Sequence, residues 1–136
     1  MDFANVNFVA ILVAALANVF LGALWYSPLL FGKQWMKLAN MKKEDMNKKD
    51  GNKAMIGSLI GALITGYVLA NLIAVINVVT VSGAILFSFW IWLGFVATST
   101  LAAVLYEKKK PALYYIYNLY YFVGLALMSI IIAMWK

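Results

Sequence analysis

The chain contains no histidine, no cysteine and no arginine. Histidine-ligated haem, thiolate iron–sulfur clusters, zinc sites and thiol redox chemistry therefore lack their usual ligands, so neither metal nor cofactor is expected. Bidentate reading of phosphates and bases is normally the work of arginine, and a pI of 9.6 does not make nucleic acid an expected partner. Charge is scarce as well: residues 3–32, 54–106 and 111–135 carry none. Proton relays, coupled transporters and voltage sensors need ionisable groups within the membrane, and these runs supply none. The connector 40–53 sets three acids against five lysines without the spacing of a calcium-binding hand. For an enzyme, the only interfacial candidates are Tyr26, Ser27 and Glu107, which lack a conventional base, and no catalytic residue is assigned.

What is present is apolar: 65% of the residues are hydrophobic and the mean hydropathy is +0.88, too much for a water-facing surface. One helical span needs about 20 apolar residues, so the three uncharged runs hold four. The longest divides around Ile76, Asn77, Thr80, Ser82 and Gly83, where β-branched, turn-prone and flexible residues meet. The expectation is an all-α integral membrane four-helix bundle, one transmembrane domain over 1–136, with spans near 5–27, 54–77, 83–106 and 112–135. A cleavable signal peptide would begin with basic residues, whereas this chain begins with Asp2 and its first apolar run is too long.

Ten of the eleven lysines lie between Lys33 and Lys53 or at Lys108, Lys109 and Lys110. Lysine bias in short loops orients membrane proteins, which places basic loops 33–53 and 107–111 in the cytoplasm and both termini outside, in a multi-pass protein of the cell (inner or plasma) membrane. The same lysines attract anionic lipid. After the first span, Ser27 can cap and Pro28 can open a new helix. Leu29, Leu30, Phe31, Trp35, Met36 and Leu38 alternate with Lys33, Gln34 and Lys37, the pattern of a short interfacial amphipathic helix. Trp25, Tyr26, Pro28 and Trp35 read as interface anchors.

Small residues recur at three- and four-residue intervals in three spans, the signature of close helix packing in lipid. Ala10, Ala14, Asn18 and Gly22 do so in the first, Gly57, Ser58, Gly61, Ala62, Thr65, Gly66 and Ala70 in the second, and Gly94, Thr98 and Ala102 in the third. Counted from the cytoplasmic helix ends, Asn18, Thr98 and Asn118 lie at similar depth, with Tyr121 nearby. Two readings stand: these groups hydrogen-bond between helices and set their register, or they line a polar pocket or pore.

Residues 18–33, which read NVFLGALWYSPLLFGK, followed by Trp35, resemble the opening signature of the bacterial membrane proteins grouped as domain of unknown function 1761. Residues 92–98, WLGFVAT, and 114–121 with Asn118 inside are similar to further parts of that family's pattern. The resemblance implies four spans and carries no activity. The functional expectation is a non-enzymatic homo-oligomer offering a pocket or passage to a small neutral or lipid-like molecule. The alternative is an accessory or scaffold subunit whose cytoplasmic face binds a partner membrane protein or anionic lipid.

Overall fold

The computed structural model describes residues 6–40 and 48–135. Residues 1–5, 41–47 and 136, including much of the expected basic connector, lie outside the described residues. The first helix, α1 (Phe8–Trp25), opens where the Asn7 side chain accepts a hydrogen bond from the Ala10 backbone N–H at 3.1 Å. A short α2 (Gly32–Leu38) comes next, then α3 (Lys48–Ile76). The third span is one continuous rod in three parts: α4 (Val81–Ile91), a π-helical segment (Trp92–Ala97) and α5 (Thr98–Glu107). The last helix, α6 (Pro111–Met134), starts with proline at its first position, where no N–H is needed.

Helix ends are set by identifiable chemistry. Asn77 turns left-handed (φ 64°) and Val78 N–H reaches back to the Ile73 carbonyl at 3.0 Å, closing α3 with a six-residue backbone loop. Thr80 then accepts from Gly83 N–H and starts α4. The same closure ends α5, with Lys108 left-handed (φ 55°) and Lys109 N–H on the Val104 carbonyl at 3.1 Å. No helix begins at Pro28. The Ser27 hydroxyl donates to the Leu24 carbonyl at 2.6 Å, so it closes α1 and caps no new helix, while the Ser27 carbonyl accepts from Leu30 and Gly32 in a tight turn. At Gly32 a Cβ would run into the backbone of Tyr26 and Ser27, so the turn requires glycine there.

Four helices, Phe8–Trp25, Gly51–Ile76, Val81–Glu107 and Pro111–Met134, are long and apolar enough to cross a membrane. Large apolar side chains such as Phe20, Ile60, Leu86 and Phe95 point outward, the arrangement expected where the solvent is hydrocarbon. α6 is central, packing on α1, α3 and the whole third span, while α1 packs on α3. Ala10 and Ala14 are fully buried, and Gly66 lets α3 close onto Ile11 and Met128. The core gathers Ala14, Leu69, Ile73, Ala84, Phe87, Met128 and Ala133. α3 has no extensive contact with α4 or α5.

The expected packing face of the third span is not the buried one. Gly94, Thr98 and Ala102 all point outward, and a Cβ on Gly94 would meet nothing within 4 Å. The inward face runs Ala84, Ser88, Trp92, Ala97, Thr100 and Val104. Its one five-residue step, from Trp92 to Ala97, falls in the π-helical segment, which holds about one residue more per turn and rotates everything after it by about 100°. A Cβ on Gly57 or Gly61 would likewise meet nothing within 4 Å, because no helix among the described residues covers that face of α3.

Candidate functional site

Because α3 and the third span stand apart on α6, a half-open groove of about 670 Å³ runs between them at membrane depth. Its walls toward one end are apolar, formed by Val68, Leu72, Ile91, Leu125 and Met128. Toward the end of the bundle that carries Lys53 and Lys108 the lining becomes polar, with Asn18, Ser99, Thr100, Tyr120 and Tyr121. No charged side chain lines it.

The polar groups differ in how they are satisfied. Ser99 donates to its own helix at the Phe95 carbonyl (2.9 Å), and Tyr120 donates to the Asn18 backbone carbonyl (3.2 Å). The Tyr120 ring sits over Gly22, whose lack of a side chain lets α1 and α6 meet there. Thr65, halfway along the α3 wall, also faces the groove. The Asn18 side-chain amide and the Tyr121 hydroxyl have no hydrogen-bond partner among the described residues, and both line the groove. The Asn18 Oδ1 occupies the place where a Cβ on Gly124 would stand, so this glycine is what lets the amide lie between α1 and α6.

The four polar residues expected to form one layer therefore divide. Asn18 and Tyr121 line the groove. Thr98 is exposed on the far side, donating to the Gly94 carbonyl at 2.9 Å, because the π-helical segment brings Thr100 inward in its stead. Asn118 is buried at 3% exposure and lies behind the groove. Its Nδ2 donates to Thr100 Oγ1 (3.0 Å) and to the Tyr114 carbonyl (3.1 Å), and its Oδ1 accepts from Trp92 Nε1 (3.2 Å). Thr100 donates onward to the Val96 carbonyl at 2.7 Å, and the Tyr114 hydroxyl to the Ala97 carbonyl at 3.0 Å. With both amide protons used and its oxygen held by the indole, Asn118 ties α6 to the third span at the π-helical segment and beyond it. Trp92 serves this network, whereas Trp90 is 60% exposed.

Of the expected anchors, Pro28 is exposed while Trp25, Tyr26 and Trp35 are half-buried against α6. Trp25 Nε1 donates to the Ile116 carbonyl (3.1 Å) and Trp35 Nε1 to the Tyr117 hydroxyl (3.0 Å). Tyr26 lies among the rings of Trp35, Tyr117 and Tyr120. Burial, with neighbouring tyrosines 121, 117 and 120, pushes its phenol well above the ordinary tyrosine range. Together these contacts strap α2 to the start of α6, leaving Lys33, Gln34 and Lys37 exposed.

Among the described residues, four apolar helices, three of them packed on the fourth, an outward-facing apolar surface and a groove at span depth define a multi-pass membrane protein. The chain belongs to the family described as protein of unknown function (DUF1761), whose model matches residues 9–133. No curated protein and no solved structure matches it.

Proposed function

We propose that this chain is a non-enzymatic membrane protein that holds a small neutral, lipid-like molecule in the groove between α3 and the third span. One observation carries the reading: the groove is uncharged, mostly apolar, and at its polar end presents an amide and a hydroxyl, Asn18 and Tyr121, with no protein partner among the described residues. Polar groups left unpaired in hydrocarbon cost several kcal/mol each. A ligand with an apolar body and an uncharged polar end satisfies both. The volume falls within the roughly 300–1,000 Å³ of ordinary ligand pockets.

Assembly into a homo-oligomer belongs to the same reading. Gly57, which lies on α3 outside the groove lining, is a close-approach position that no helix covers among the described residues. Lysine bias puts the polar end of the groove on the cytoplasmic side of a cell membrane, with both termini outside and α2 in the headgroup plane. Native mass spectrometry from lipid nanodiscs tests the reading through Gly61→Leu, which fills the groove where a side chain meets nothing. Wild-type protein should retain a bound neutral lipid and the variant about tenfold less, the factor that ~1.4 kcal/mol of lost contact implies. Equal retention, or none in the wild type, overturns it.

A second reading rests on a different feature. Lys33, Lys37, Lys53, Lys108, Lys109 and Lys110 gather at one end of the bundle, a surface suited to an accessory subunit that docks a partner membrane protein or anionic lipid. Co-purification of another membrane protein with an empty groove would favour it.

A further inference from the structure

A separate cleft of about 300 Å³ lies outside the groove, where α5 ends and α6 begins. Leu101, Val104 and Leu105 form its apolar side, Lys108 and Lys109 its rim, and Tyr115 its flank. Leu105 is 68% exposed, so the apolar strip is open to the surroundings along the last turns of a span. Lys109 pairs with Glu107 at 2.9 Å across an exposed surface, a contact worth little in water, while Lys108 has no acidic partner among the described residues.

Lys108 also stands where a lysine is unfavourable. Its φ of 55° and ψ of 38° put it in the left-handed region at the helix end, a place usually taken by glycine or asparagine. The other two left-handed non-glycine residues described, Asn40 and Asn77, obey that preference, and Lys108 does not. Backbone cost retained at one position points to a task for its side chain.

We propose that this cleft binds an anionic phospholipid of the adjoining leaflet, with its phosphate between Lys108 and Lys109 and an acyl chain along Leu101, Val104 and Leu105. Cations at the rim and hydrocarbon below match the two parts of such a lipid in the order in which a membrane presents them. A neutral lipid meets only the strip; free phosphate meets only the rim. The site is independent of the groove and gives the accessory-subunit reading a defined locus.

Retention of phosphatidylglycerol relative to phosphatidylcholine, read by native mass spectrometry from mixed nanodiscs, tests the proposal. Lys108→Gly removes the cation and relieves the backbone, so it should fold at least as well while cutting the preference about fivefold. Glu107→Gln frees Lys109 and should raise the preference, and Lys110→Gln, outside the cleft, should leave it unchanged. Millimolar inorganic phosphate should not displace the lipid. An undiminished preference in Lys108→Gly, an equal loss in Lys110→Gln, or displacement by inorganic phosphate overturns the site. Absence of any preference in the wild type overturns it and the anionic-lipid form of the accessory-subunit reading together.

Discussion

Replacing Asn118 with alanine strands the indole N–H of Trp92 and removes the partner of Thr100, inside a network closed off by α6 and the third span. Stability should fall by about 1–3 kcal/mol, measured by unfolding in mixed micelles, whereas Thr98→Ala should stay within about 0.5 kcal/mol because that hydroxyl bonds only its own helix. Ser129 offers the converse: its hydroxyl is buried without a partner among the described residues, so Ser129→Ala should leave stability unchanged or raise it by up to about 1 kcal/mol. Gly32→Ala should be among the most disruptive single changes, since it is backbone, not a movable side chain, that blocks a Cβ there. Tyr26 adds a pH dependence. Its folded value is raised above the unfolded value of about 10, so its contribution is complete below pH about 10 and is lost as pH rises through the raised value. In an alkaline melt, Tyr26→Phe should therefore lose less stability than the wild type.

At the scale of elements, the π-helical segment decides which residues of the third span look inward. If it is an insertion of one residue in an otherwise regular helix, deleting Gly94 should restore α-helical geometry while keeping Thr100 opposite Asn118, with little change in melting temperature. Deleting Leu86 instead turns the inward face of the whole downstream helix by about 100° and should abolish the folded state. Sequence alone could not show this segment. Lipid on one side and protein on the other are both apolar, so the third span has little amphipathic contrast, and one extra residue per turn leaves no trace in composition. Span number was legible, because charge segregation marks the ends of apolar runs in a membrane as amphipathicity marks faces in water, and the length of the longest run calls for two helices. Lys110 and Pro111 were readable as a boundary for that reason, whereas the uncharged turn at Asn77 and Thr80 was readable only from its turn-prone and flexible residues. Pro28 misled, since Ser27 spends its hydroxyl on the preceding helix.

For the molecule as a whole, the groove arises from which helices fail to touch, a tertiary fact that no local pattern carries. Asn18 and Tyr121 could be picked out as polar groups at membrane depth, and they do line it; Asn118 could be picked out too, but only its partners Trp92, Thr100 and Tyr114 show that it is closed. Small residues were a sound guide to close approach at Ala14, Gly22 and Gly66, while at Gly57 and Gly61 they mark a face left open within one chain. The bundle thus has a packed half, organised by α6 and the Asn118 network, and an open half available to a ligand. A density map of the protein in native lipid tests that division most directly. Elongated density between α3 and the third span, with its polar end at Asn18 and Tyr121, is the expected result. A groove closed by α3 packing onto α5, or filled by a helix of a second copy, would contradict it.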